Sequence, residues 1–290
     1  MITPSLLFHA FINGLILGGL YALVALGINL IYGVMRIVNF AHGEFLMVGM
    51  YVAYWLFMLY GIHPYVSIPM IILVVVVLAV ATERLLIEPV LKDPEINQLL
   101  ITAALSVFLQ NIALFFWKAD YRGIPIELHP LTFAGVTIGF MRLNALIVAL
   151  PTSFIFYLFL MKTGLGRSIR AVAQDREIAE LMGISVRRVY TLTFGLSALL
   201  IGIGAAIIIP VYYVFPLAGF SFGLMAWIII VFGGLGSYEG AFIGALVLGV
   251  VEAITGVVTN AELARAFAFA IFIGVLIFRP EGLLGKRARV

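Results

Sequence analysis

The chain has no cysteine. That excludes a disulfide framework and any thiolate metal site. Charge is almost as scarce: Asp, Glu, Lys and Arg make up 11% of 290 residues, against roughly 25% in a typical soluble domain. The four histidines lie far apart, and no serine, threonine or histidine forms a nucleophile–base constellation. Nothing in the chain points to catalysis, so it is not read as an enzyme. No G-x-x-x-x-G-K-[ST] phosphate loop is present, so the chain cannot itself be an ATPase of that kind. A net charge of +3 does not point to nucleic acid.

What is there is apolar. Hydrophobic residues make up 64% of the sequence, and the mean hydropathy is +1.19. Uncharged stretches of 18 or more residues read as membrane-spanning helices. The runs 1–35, 96–117 and 143–161 each carry one span. The run 45–82 is broken by Gly61 and Pro64 and reads as two. The run 189–238 as a single helix would reach about 75 Å, twice a bilayer. It must fold back, at 210–220. The apolar N-terminus reads as a first span, not as a removed signal peptide. The expected spans are about 8–33, 44–60, 65–83, 96–117, 143–161, 189–211, 220–235, 239–257 and 263–278. The fold class is all-α: a polytopic transmembrane helical bundle of about 8–10 spans, forming one domain over 1–290.

Basic residues orient it. Lys162, Arg167, Arg170, Arg176, Arg187 and Arg188 fall in the loop 162–188. Arg279, Lys286, Arg287 and Arg289 fall in the tail 279–290. The positive-inside rule places both in the cytoplasm. Counting back puts 84–95 inside, 118–142 outside and the N-terminus outside.

The stretch 171–189, AVAQDREIAELMGISVRRV, is the most charged. Its spacing predicts one helix over about 168–182. Ala171, Val172, Ile178, Ala179 and Met182 form one face; Arg170, Gln174, Glu177 and Glu180 fall mostly on another. Gly183 sits where a C-cap glycine belongs, and Ser185 is a candidate N-cap for the next span. Such a helix either lies on lipid or docks into a protein cleft. Its small side chains favour the cleft.

Two glycine-containing breaks interrupt the apolar pattern. VNFAHGEF (38–45) brings Asn39, His42 and Glu44 together near a membrane boundary. FGGLGSYEGAF (232–242) does the same with Ser237, Tyr238 and Glu239. Irregular backbone at membrane depth is tolerated where protein or a water-filled cavity surrounds it. The breaks either line a translocation route or are capped tight turns. Glu252 lies inside an apolar span, where a carboxylate costs about 2.5–3.5 kcal/mol; it should face the bundle interior. Asn39, His42, Glu44, Glu239 and Glu252 are the candidate pathway residues, with buried structural hydrogen bonding as the other reading. Gly14/Gly18 and Gly240/Gly244 are G-x-x-x-G pairs that read as helix packing. Tyr51, Tyr54 and Trp55 read as packing or interface residues. One His and one Glu do not make a metal site.

The segment EIAELMG (177–183) resembles the E-A-A-x-x-x-G loop of ABC importer permeases. Glu177, Ala179 and Gly183 match, Ile178 replaces the middle alanine, and the downstream I-x-L-P half is absent. The blocks 13–51, 166–184 and 231–252 are similar to permeases of branched-chain amino acid ABC transporters, the LivH type. The resemblance covers nearly the whole chain. It implies that the charged helix is a coupling helix seated in a groove of a cytoplasmic ATPase. Arg170, Gln174, Glu177, Ala179 and Gly183 would make that contact. It also implies two ATPase subunits that bind the ATP, a second permease subunit of different sequence, and an extracytoplasmic substrate-binding protein. The whole would sit in the inner or plasma membrane of a bacterium or archaeon and work by alternating access. The competing expectation is an ion- or proton-coupled secondary transporter, which would want more intramembrane carboxylates. Branched-chain amino acids, urea and short amides are not distinguished by these residues.

Overall fold

A computed structural model describes residues 4–126, 131–133 and 136–285. Lys286, Arg287 and Arg289 of the basic tail lie outside these residues. In chain order the helices are α1 (Pro4–Met35), α2 (His42–Tyr60), α3 (Ile68–Thr82), α4 (Glu95–Trp117), α5 (Phe140–Lys162), α6 (Gly164–Gln174), α7 (Arg176–Leu181), α8 (Val186–Ile208), α9 (Ala218–Gly233), α10 (Tyr238–Val258) and α11 (Ala261–Phe278). A π turn (Glu83–Ile87) and a 3₁₀ turn (Glu88–Val90) extend α3. One antiparallel hairpin, β1 (Leu131–Phe133) with β2 (Val136–Ile138), precedes α5, with Thr132 opposite Thr137.

All nine expected spans are helical. Seven helices of the described residues are long and apolar enough to cross a membrane: α1, α2, α3 with its extension, α4, α5, α8 and α10. Helix α9 and the stretch Leu263–Phe278 of α11 are apolar but shorter. Apolar helices suit a bilayer because every backbone N–H and C=O is bonded within the segment.

Helix α1 is the axis of the bundle. Every residue from 18 to 31 is buried, as expected of a helix that is apolar on all sides. It packs most extensively on α10 and also on α8, α5 and α9. Small residues permit the closest approach. A methyl group added at Gly14 would stand 2.5 Å from the Val250 Cα, and one at Gly18 2.7 Å from the Leu246 Cα. Gly249 faces them from α10, where an added methyl group would run into Gly18 N. Without a hydrophobic drive between helices in lipid, such backbone contact supplies the packing energy. Gly240 and Gly244 face α9 in the same way. Both G-x-x-x-G pairs therefore serve packing. The outer faces of α4, α5 and α11 carry exposed Phe108, Phe115, Phe154, Ile155 and Ile273. In a bilayer they meet lipid or another subunit.

The loop 162–188 and the tail share one end of the bundle. Arg187 bonds Glu88 there, with Nε 2.6 Å from Oε1, and Leu283 N donates to Phe232 O. The opposite end is closed by Arg122, whose N–H and C=O pair with Val214. Arg122 also lies over the rings of Tyr54 and Trp55, and Tyr51 stacks on Trp117 at 3.9 Å. These aromatics pack, as their positions near span ends suggest.

The charged stretch departs from expectation. It is two helices, α6 and α7, not one over 168–182. The break is at Asp175 (φ −157°, ψ 110°). Its Oδ1 accepts from Glu177 N at 2.9 Å and Ile178 N at 3.0 Å, which makes it the N-cap of α7. The five-residue apolar face consequently splits. Val172 and Ala179 are buried, Ala171 is half-buried, and Ile178 and Met182 are exposed. Gly183 (φ +81°) does end α7, and Ile184 N reaches back to Ala179 O at 3.0 Å, the Schellman bond of a glycine-terminated helix. Ser185 does precede α8 but makes no side-chain capping bond.

Candidate functional site

The break 38–45 is not a surface turn. After α1 ends at Met35 the chain turns back, Thr102 Oγ1 donating to Val38 O at 2.9 Å. Helix α2 then starts beside Gly27: a Cβ there would meet His42 Nε2 at 2.8 Å and Ser197 Oγ at 3.1 Å. Gly27 lies about 12 Å along α1 from its end. So His42, Gly43 and Glu44 stand well inside the bundle. Helix α9 begins at the same depth from the other side. A Cβ on Gly43 would stand 2.1 Å from Gly219 O, and one on Gly219 2.4 Å from Glu44 Oε2. Two helix N-termini therefore meet backbone to backbone at a pair of glycines. Helix starts at membrane depth are where transporters place polar groups.

Glu44 belongs to the first turn of α2 and sits against the start of α9, where a negative group is favoured by both backbone dipoles. It is fully buried. Its Oε1 accepts from Ser106 Oγ (3.0 Å) and Gln110 Nε2 (2.8 Å) of α4. Its Oε2 has no partner among the described residues. His42 Nδ1 lies 3.4 Å from Ser197 Oγ of α8; its Nε2 is buried with no hydrogen-bond partner among the described residues. Asn39 Oδ1 accepts from Ala41 N at 3.0 Å and holds the loop that leads into α2. These three residues cluster at the start of α2 as a polar knot, each with its own partner: Asn39 with Ala41 N, His42 with Ser197 of α8, and Glu44 with Ser106 and Gln110 of α4.

Glu239 and Glu252 stand elsewhere. Glu239 is exposed in the first turn of α10. The turn before it is the capped one of the two breaks: Ser237 Oγ accepts from Gly240 N at 3.1 Å, and Asn29 Oδ1 takes Gly236 N at 2.9 Å. Glu252 faces the bundle interior, as an intramembrane carboxylate should. It accepts from Tyr21 Oη of α1 at 2.9 Å and lies 3.7 Å from Arg265 Nε of α11. Asn260 caps α11 through Leu263 N and so places Arg265 one turn in.

Glu252, Tyr21 and Arg265 line a cavity of about 640 Å³. Leu17, Phe222, Met225 and Phe269 supply apolar wall, and Tyr121, Tyr212, Tyr213 and Phe215 sit toward the end that carries Arg122. This is a typical volume for a small-molecule site, mostly apolar with a few convergent polar groups. The Tyr212 phenol is pushed above its ordinary pKa first by desolvation, with Arg142 pulling the other way. Ala218 and Ser221 of α9 line the cavity, while Gly219 between them touches Glu44. The first turn of α9 is thus the wall between cavity and polar knot. Sequence reading picks out Glu252 but misses Arg265, Tyr21, Ser106 and Gln110. Arg265 had a signal: a lone cation in an apolar segment, opposite in sign to Glu252.

At the other end, the loop 162–188 is a folded element. Thr163 caps α6 through Gly166 N, Gly166 lies against the Leu160 backbone, and Arg170 donates to Leu160 O. Arg170 and the buried Ala179 thus hold the loop together. Gln174, Glu177 and Gly183 are exposed. So is an apolar tip on α7: Ile178, Leu181 (87% exposed) and Met182 (78%).

A helical membrane bundle with two helix starts meeting at its centre, a mostly apolar cavity carrying a few polar groups on one side of them and a folded loop at the far end is a membrane permease. The sequence signature of the family described as branched-chain amino acid transport system permease component matches residues 10–276, and the chain belongs to that family. It is 33% identical to the high-affinity branched-chain amino acid transport system permease protein BraD of Pseudomonas aeruginosa, over 95% of this chain and 94% of that one. It is 32% identical to LivH of Escherichia coli K12, a permease protein of the same description, over 94% of each chain. The probable branched-chain amino acid transport permease protein LivH of Methanocaldococcus jannaschii is 25% identical, over 94% of this chain and 91% of that one. No solved structure matches.

Proposed function

We propose that the chain is the membrane-spanning subunit of an ATP-binding-cassette importer that moves branched-chain amino acids by alternating access. It works in the inner or plasma membrane of a bacterium or archaeon. A binding protein delivers the amino acid to the end that carries Arg122. A second permease subunit, of different sequence, encloses the route with it. Two cytoplasmic ATPases bind the loops at the other end and hold all the ATP.

The α7 tip is the observation that carries this reading. Ile178, Leu181 and Met182 are exposed on or just after α7, which is capped at both ends and packs on α6, itself fixed to α5 through Gly166 and Arg170. A rigid, apolar knob with Gln174, Glu177 and Gly183 around it suits a cleft on a protein. Motion of that cleft would reach α5 and α8 directly, because α6 packs on both. Helix α8 in turn meets the knot through Ser197. The cavity and the knot then supply the two sides of a gate, with the Gly43–Gly219 crossing between them. The candidate pathway residues take different parts: Glu252 in the cavity, Asn39, His42 and Glu44 at the gate, and Glu239 at the inner mouth.

The test is ATP hydrolysis by the assembled complex. Leu181→Asp should leave the permease folded but abolish stimulation of hydrolysis by the loaded binding protein, and weaken recovery of the ATPases with the membrane subunits. Full stimulation in the variant would refute the role of α7.

A further inference from the structure

We propose that the cavity between α1, α9, α10 and α11 is a transient site for the zwitterion of an aliphatic α-amino acid, with Glu252 receiving the ammonium group and Arg265 the carboxylate. The proposal rests on the importer reading above and names what that reading leaves open: the residues of this chain that hold the substrate's two charges.

Three observations carry it. First, the two charges are opposite and adjacent but not locked together. Glu252 Oε1 and Arg265 Nε are 3.7 Å apart, within ion-pair reach but beyond hydrogen-bonding distance. Arg265 is mostly exposed and can swing away from Glu252, so a ligand whose own opposite charges flank one carbon can come between them and give each side chain a closer partner. Second, the two partners differ in freedom. Tyr21 Oη fixes Glu252 through Oε2 at 2.9 Å, which leaves Oε1 toward Arg265. The carboxylate side chain is 12% exposed and the guanidinium 63%. The ammonium subsite is therefore fixed, while Arg265 can swing to meet a carboxylate, in the two-pronged way its planar fork allows. Third, the remaining wall suits an aliphatic side chain. Leu17, Phe222, Met225 and Phe269 are apolar, and Phe222 stands edge-on to Tyr21 at 5.9 Å. A neutral amide or urea could fill the volume but would leave both charges facing uncharged groups, and a site built to pair with a group rejects an analogue that lacks it.

The apolar wall ends at Ala218 and Ser221, which flank Gly219 and its contact with Gly43. A substrate held at Glu252 is thus next to the crossing that must part for it to pass.

The experiment uses the assembled complex in nanodiscs, without the binding protein, and measures equilibrium binding of labelled leucine, leucinamide and 4-methylpentanoate. Leucine should bind at least about tenfold more tightly than leucinamide, which lacks the carboxylate, or 4-methylpentanoate, which lacks the amine. Arg265→Gln should cost leucine about tenfold or more and leave leucinamide unchanged. Glu252→Gln should cost leucine as much and leave 4-methylpentanoate unchanged. Arg265 is mostly exposed, so its variant tests the site even where Glu252→Gln disturbs Tyr21. Equal binding of the three compounds, or unaltered leucine binding in both variants, would overturn the site. ATP-driven leucine uptake is measured in the same preparation after the binding protein is added. Uptake by the parent complex alongside unaltered binding in the variants removes the site alone. No ATP-driven uptake removes the importer reading and the site with it.

Discussion

Gly43 and Gly219 leave no room for a methyl group: each would-be Cβ lies within 2.5 Å of the other helix. Gly43→Ala should therefore lower the thermal midpoint of the detergent-solubilised protein, by a destabilisation of at least about 1–3 kcal/mol. Gly195, inside α8, meets nothing within 4 Å, so Gly195→Ala should stabilise by about 0.5–1 kcal/mol. Opposite shifts from the same chemical change would separate close packing from a general effect of glycine loss. Arg187 and Glu88 illustrate the other limit. Their contact is short, but the Arg187 side chain is 67% exposed, and exposed pairs are worth about 0–1 kcal/mol. Arg187→Ala should move the midpoint by no more than that. At this scale the sequence was partly legible. Glu252 stood out because a carboxylate inside an apolar run needs a partner; Arg265, a cation in the next apolar run, offered one, but the pairing shows only when α10 and α11 lie side by side. Ser106 and Gln110 had no signal at all, since hydroxyls and amides are ordinary in apolar helices.

Among the elements, all nine apolar helices were legible from uncharged run lengths and the breaks at Gly61, Pro64 and 210–220. Their depths were not. Hydropathy does not record that α2 and α9 start inside the bundle, because Phe40, Ala41, Phe215 and Leu217 beside those starts are themselves apolar. The stretch 168–182 reads as one helix, and the structure breaks it in two, for a different reason. A single extended residue hardly alters helical periodicity, and only the capping chemistry of Asp175 reveals the break. Asp175→Ala should remove that cap at a cost of about 1 kcal/mol. It should loosen α7 without unfolding the bundle: amide exchange of residues 176–182 should rise while that of α1 stays unchanged. Gly183→Trp should act on the same element, since its φ of +81° strains any side chain there. Loss of ATP-driven transport with the bundle intact is the expected result.

Across the whole molecule, charge and shape agree on direction. The basic loop 162–188 gathers at one end, and the Arg122–Val214 closure and the aromatic mouth of the cavity lie at the other. Between them stands one crossing of two helix starts, held by Glu44 and glycine. In the proposed importer the cavity is the place for substrate, the crossing is the barrier and the α7 tip is the handle, with ATP used by the partner ATPases. The most direct measurement is uptake of labelled leucine into proteoliposomes that contain the chain with its partner permease and ATPases. The account predicts uptake that requires both ATP and the binding protein, and that is lost in Gly183→Trp while the complex still assembles. Uptake driven by a proton or sodium gradient without ATP, and indifferent to that substitution, would contradict it.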